Sequence, residues 1–102
     1  MPPPLPNNIG KQRMLTDIDG KKQGFTVIDE IRRPQSDNDN NAIYLQRIQF
    51  QRDGSTELRL AYYMIGKKPR MLGKWAWGQY ATILPMKDFQ AIIREAEKKD
   101  WI

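Results

Sequence analysis

Two stretches of alternating side chains, Ala42 to Gln51 and Glu57 to Ile65, flank the tetrapeptide Arg52-Asp53-Gly54-Ser55. Alternation with period two marks strands buried on one face. A glycine able to take positive φ between two such strands marks a tight reversal. The centre of the chain is therefore committed to an antiparallel hairpin. In its first strand Tyr44, Ile48 and Phe50 share one side, and Arg47, Gln49 and Gln51 the other. In its second, Leu58, Leu60, Tyr62 and Met64 oppose Arg59, Ala61, Tyr63 and Ile65.

The flanking segments extend this hairpin. Phe25 to Arg33 is short, β-branched and stopped by Pro34, which reads as a strand; the spacing of Phe25, Ile28 and Ile31 also permits one or two helical turns. Gln35 to Asn41 reads as a polar loop. Gly66 to Lys74 is a basic loop, and Trp75 to Leu84 a further strand in which Gly78 marks a bulge or a close backbone approach. The single clear helix opens at Pro85 and runs to about Asp100, with proline suited to the first helical position. Phe89, Ile92, Ile93 and Ala96 form its apolar stripe. Asp88 in the first turn and Lys98 and Lys99 in the last complement the helix dipole.

The expected fold is α+β: a four-stranded antiparallel sheet followed by one C-terminal helix packed on one face, in a single domain spanning 25–102. Residues 1–24 read as a flexible, basic, proline-rich segment, with Pro2 to Pro6 extended. Asp17-Ile18-Asp19-Gly20 reads as a turn, since the further ligands of a calcium loop are missing. One helix covers one face of such a sheet. The other is left to solvent, to a ligand or to a second copy of the chain, and a homodimer is expected.

Chemistry narrows the function. The chain has no His and no Cys, which removes the commonest general base, the commonest metal ligand and every thiolate site. No catalysis of its own and no cofactor or metal are expected. No run of eighteen apolar residues suggests a membrane span, and Met1-Pro2-Pro3-Pro4 lacks a signal-peptide core. The expected location is intracellular, in cytoplasm or nucleoid.

The net charge of +5 favours polyanionic partners. The thirty residues from Leu58 to Lys87 hold no Asp or Glu, but six cations (Arg59, Lys67, Lys68, Arg70, Lys74, Lys87) and five aromatics (Tyr62, Tyr63, Trp75, Trp77, Tyr80). Cations neutralise phosphates, and flat rings stack unpaired bases. This combination points to single-stranded DNA or RNA. Tyr63 shares its face with Arg59 and is the tyrosine expected to stack. Arg47, Gln49 and Arg59 are expected to form a polar face on the hairpin. Trp75 and Trp77 share a face, and either stack bases or lie under the helix as core.

From Tyr62-Tyr63-Met64 onward the chain resembles the positive cofactor 4 family of transcriptional coactivators and the related plant Whirly proteins. The resemblance takes in the loop Gly66-Lys67-Lys68-Pro69-Arg70-Met71-Leu72-Gly73-Lys74 and the Pro85-opened helix with Phe89 early in it. It spans about residues 42–97. The loop is longer here, the alternation of the preceding strand is offset by one, and the segment from Trp75 to Gln79 has no counterpart. The resemblance implies four strands and a helix, a homodimer, and binding of single-stranded or melted DNA. By position it implies that Tyr63, Lys67, Lys68, Arg70 and Lys74 line the DNA channel.

Two other classes fit parts of this pattern. A protein–protein adaptor would use the same aromatic sheet face to dock a partner, since Trp and Tyr are enriched at such interfaces. A small metal-dependent nuclease, or its accessory subunit, would use Asp53 and Glu57 beside Arg59.

Overall fold

The computed structural model describes residues 3–78 and 81–102. Five strands form one antiparallel sheet in chain order: β1 (Gln12–Thr16), β2 (Lys22–Gln35), β3 (Asn38–Phe50), β4 (Thr56–Ile65) and β5 (Trp75–Trp77). One helix, α1 (Met86–Lys98), follows. The α+β class, the antiparallel sheet and the C-terminal helix are those expected; the strand count is five rather than four. Among the described residues no helix is long and apolar enough to cross a membrane.

The additional strand comes from the segment expected to be a tail. β1 pairs with the first half of β2, from Gln12 opposite Thr26 to Thr16 opposite Lys22. The turn between them is the Asp17–Gly20 reversal. There the Asp17 carboxylate accepts the N–H groups of Asp19 (3.0 Å) and Lys21 (2.9 Å), and Gly20 takes φ +80°. β1 lacks the usual strand pattern because it is mostly exposed: only Leu15 turns inward, against a buried cluster.

β2 is longer than its apolar run. It passes through Pro34, which sits beside a register shift between Pro34 and Gln35, where a missing N–H costs the ladder little. The chain then reverses at Ser36 and Asp37, so that 38–41, expected as loop, are already β3. A second register shift, between Val27 and Asp29, leaves Ile28 without a cross-strand partner. Such a bulge inverts the alternation that follows it. Phe25 and Val27 consequently face the same side as Glu30 and Arg32, while Ile31 and Arg33 face the other.

The sheet thus carries two cores. On the helix side Ile31, Ile43 and Leu45 pack with Ile92 and Ala96, flanked by Leu84 and Trp101. On the opposite side Phe25, Val27, Ile48 and Phe50 pack together with Leu15 beside them. The helix presents Asp88, Ile92 and Ala96 to the sheet, so Ile92 and Ala96 of the expected stripe are core and Ile93 is half-buried, while Asp88 is buried in the first turn instead of Phe89. Phe89, expected as core, is 46% exposed. The displacement has a polar cause. Asp88 is fully buried and accepts hydrogen bonds from Arg33 Nε (2.7 Å), the Ser36 N–H (2.9 Å) and the Ser36 hydroxyl (3.0 Å). Tying the first turn of α1 to β2 in this way fixes the rotation of the helix.

The face opposite the helix is not open. Residues 3–10 cross it as a strap. Prolines lack an N–H but keep their carbonyls, and two donors use them: the Tyr44 hydroxyl donates to Pro6 O (2.6 Å) and the Trp75 indole to Pro3 O (2.8 Å). Asn8 is 3% exposed, and Gly10 N–H donates to Val27 O (2.7 Å). The last strand is shorter than the expected 75–84. Gly78 N–H donates to Tyr62 O (2.8 Å), and any side chain at Gly78 would collide with the Tyr62 ring. Gln79 and Tyr80, expected within that strand, lie outside the described residues, as does Pro2.

Burial alone would raise the Asp88 carboxyl; the Ser36 N–H, Arg33 and the Ser36 hydroxyl together outweigh it and hold the group below its ordinary value of 3.8. A carboxyl depressed on folding stabilises the protein fully above its unfolded value, and that stability is lost as the pH falls through the folded one. Asp88→Asn is expected to cost about 2–3 kcal/mol near neutral pH, the scale of hydrogen bonds to a charged group. It should also flatten the decline in Tm below about pH 4. Thermal melts of both chains across that range check this; parallel acid limbs would contradict it.

Candidate nucleic-acid interface

Cross-strand register places four of the sequence-derived residues on one surface. Arg59 stands opposite Gln46, Tyr63 opposite Ala42 and Trp77, and Ile65 opposite Trp75. Arg59, Tyr63, Trp75 and Trp77 therefore share the face away from α1, and neither tryptophan lies under the helix. Arg47 stands opposite Leu58 and Asp29, on the helix side. The expected polar face joining Arg47 and Gln49 to Arg59 does not exist, because β3 and β4 pair Gln46, not Arg47, with Arg59.

Arg59 is the electrostatic centre of this surface. Its guanidinium carbon lies 4.7 Å from the Trp77 ring centroid and 5.1 Å from that of Phe25, a cation between two π faces. Desolvation lowers its pKa, yet an arginine stays protonated at any physiological pH. Among the described residues no carboxylate lies within ion-pair distance of it. The aromatic stack continues along the strand: Tyr63 packs 5.1 Å from Trp77, edge to face, and 4.9 Å from Tyr44. All three of Tyr63, Trp75 and Trp77 remain partly exposed.

The basic loop lies at the far end of the same strip. From Arg59 to Ile65 the extended strand covers about 20 Å, and Lys67, Lys68, Arg70 and Lys74 follow, all exposed. The loop is compact: Pro69–Met71 forms one 3-10 turn, Gly66 N–H donates to Lys74 O (2.8 Å), and Gly73 takes φ +73°. Gly66 is required where it stands, since a Cβ there would meet the Met71 carbonyl oxygen. Among the described residues none of the four cations is ion-paired.

Behind the strip lies a buried polar network that the sequence pattern did not announce. The Glu30 carboxylate, 5% exposed, accepts hydrogen bonds from the Asn8 N–H (2.7 Å), Asn8 Nδ2 (3.3 Å) and Gln46 Nε2 (3.0 Å), with Arg32 at 3.9 Å. Tyr63 OH in turn donates to Asn8 Oδ1 (3.3 Å). Between strap, β1 and β4 a cleft of about 390 Å³ remains, walled in part by Asn8, Arg13, Gln46, Arg59, Tyr63 and Trp77. One signal of this network is present in the sequence. In the buried parity Tyr44, Gln46, Ile48, Phe50, a glutamine stands where alternation calls for an apolar side chain.

Asp53 holds the hairpin turn, accepting the Ser55 N–H (3.0 Å) and the Ser55 hydroxyl (2.6 Å), and Ser55 holds its carboxyl below the ordinary value. Among the described residues no three acidic side chains gather as metal ligands. No protein-family model, curated protein or solved structure matches the chain.

Proposed function

We propose that this protein binds single-stranded nucleic acid, DNA in the first instance, along the face opposite α1, and does so without strong sequence preference. The observation that carries the reading is Arg59: a half-buried, permanently charged group with no acidic partner among the described residues, clamped between Phe25 and Trp77 at one end of an aromatic and basic strip. Phosphates would run along Lys67, Lys68, Arg70 and Lys74, and bases would meet the exposed parts of Tyr63, Trp75 and Trp77. Rings offer stacking to any base. In this reading the chain resembles a coactivator of the positive cofactor 4 type in how it binds, with a fifth strand and an N-terminal strap of its own.

Lys67, Lys68 and Arg70 changed together to Gln are expected to weaken binding to a short oligothymidine. The log–log salt dependence should flatten by about 0.7 for each phosphate no longer neutralised. Folding should be unaffected, because the loop is solvated. Tryptophan fluorescence titrations at several salt concentrations measure both. A triple variant with parental affinity and slope would overturn the reading.

A homodimer remains part of the proposal, on a different surface from that first expected, since the strap crosses the aromatic face and leaves only the strip along β4 and β5 partly exposed. Leu58, Leu60 and Met64 on the helix side of β4 are 41%, 40% and 36% exposed. They lie beyond the reach of α1, whose buried residues pack on β2 and β3. That apolar stripe suits a second copy or a protein partner. Light scattering is expected to give twice the chain mass, and half that value for Leu58→Lys with Leu60→Lys. A parent chain that scatters as a monomer at high micromolar concentration would remove the dimer.

A further inference from the structure

Behind the wall of the cleft beside Arg59 lies a buried acceptor with nothing to accept among the described residues. Gln46 is 2% exposed, and its Oε1 has no hydrogen-bond partner among the described residues. An orphaned buried oxygen of this kind is uncommon and costly. Its orientation is forced: Nε2 donates to Glu30, and a carboxylate can only accept, so the amide cannot turn round to place its oxygen there. Oε1 is the polar atom of Gln46 not engaged with Glu30, and it lies sealed from solvent behind the wall of the cleft that Gln46 lines, so a ligand in the cleft reaches it when that side chain shifts toward the opening.

The matching donor is adjacent. Gln46 and Arg59 are direct cross-strand partners on this face, a spacing at which side chains converge on one ligand. Together they present an acceptor beside a cationic fork of donors. Met14 and Val27 supply apolar wall and Trp77 and Tyr63 aromatic wall, while Arg13 adds a second cation. No carboxylate lines the cleft among the described residues. Its volume of about 390 Å³ falls within the roughly 300–1,000 Å³ of small-molecule sites.

We propose that this cleft is a nucleobase site. It takes one planar base edge-on, with a base N–H donated to Gln46 Oε1 and the neighbouring base acceptor taking an N–H from Arg59. Every base carries such a donor–acceptor pair on its pairing edge, so the site demands a base without choosing strongly among the four. Arg13, the second cation lining the cleft, would meet the attached phosphate. The base is supplied either by an everted nucleotide of a bound strand or by a free nucleotide. The first source rests on the single-strand reading; the second does not.

The test uses the full chain and three probes: a short oligothymidine, the same oligomer with one central abasic site, and thymidine monophosphate. The parent is expected to bind the intact oligomer about tenfold more tightly than the abasic one, the scale of the polar interactions a base would make. Gln46→Leu should bring intact binding down to the abasic level without changing the salt slope, since hydrogen bonds to a base release no counterions. Equal parental affinity for intact and abasic strands would overturn the cleft as a base site within a strand, and does not depend on any variant folding. Saturable binding of the monophosphate, abolished in Gln46→Leu, with no binding of either strand, would retain the cleft for free nucleotides and overturn the single-strand function. Failure of the monophosphate and both strands alike would overturn the cleft and the function together.

Discussion

The Glu30 carboxylate organises the side of the molecule on which function is proposed. It is a charge taken out of water, which is tolerable only when its lone pairs are filled. The donors that fill them come from two separated parts of the chain, the strap through Asn8 and β3 through Gln46, while Arg32 of its own strand stands at ion-pair distance, 3.9 Å away. Each donor is constrained by the service. Asn8 holds the strap over the sheet and offers its own oxygen to Tyr63. Gln46 is locked with its oxygen away from Glu30, which leaves a buried acceptor behind the cleft wall, at the position paired with Arg59. Glu30 is an acid on the same side of the sheet as the basic and aromatic surface. In the structure it is buried beneath that surface and sets its geometry.

The bulge at Ile28 makes the arrangement possible. Had β2 kept strict alternation, a strand that turned Phe25 and Val27 toward Ile48 and Phe50 would have turned Ile31 to the same side and Glu30 to the helix. One unpaired residue separates the two halves of the strand. The first half builds the core opposite the helix. The second sends Ile31 to Ile92 and Ala96, Arg33 to Asp88, and Glu30 to Gln46. The helix and the candidate interface are thus on opposite faces because of a single irregularity. The sequence hides this irregularity, because Phe25, Val27 and Ile31 share one parity and yet Ile31 packs on the face opposite to the other two.

The central hairpin, the Asp17–Gly20 and Arg52–Ser55 turns and the C-terminal helix were legible because each rests on a local signal: alternation, a positive-φ glycine, an apolar stripe. The shared facing of Arg59 with Tyr63, and of Trp75 with Trp77, was legible as parity within each strand; that both pairs occupy one face, and that it is the face away from α1, was not, because it rests on the register of β4 against β5. What escaped depends on pairing between distant segments. β1 has almost no apolar pattern, and its place in the sheet comes from its ladder with β2. The strap is held by proline carbonyls whose donors, Tyr44 and Trp75, lie 38 and 72 residues away. Phe89 yields its core position to Asp88 because a charged hydrogen bond across 55 residues to Arg33 outweighs the apolar stripe in setting the helix rotation. Arg47 was grouped with Arg59 by side-chain type, and only the register of β3 against β4 separates them.

The central claim is that a single strand lies on the face away from α1, over the β4–β5 strip. The three tryptophans divide cleanly with respect to it. Trp75 and Trp77 are on that face, whereas Trp101 packs against the helix-side cluster. Titrating the ¹⁵N-labelled chain with a short oligothymidine at low salt and following the three indole N–H signals tests the claim directly. Progressive shifts of the Trp75 and Trp77 indoles are expected, with Trp101 unmoved. A strand that shifts Trp101 while leaving Trp75 and Trp77 in place, or that shifts none of the three, would contradict it.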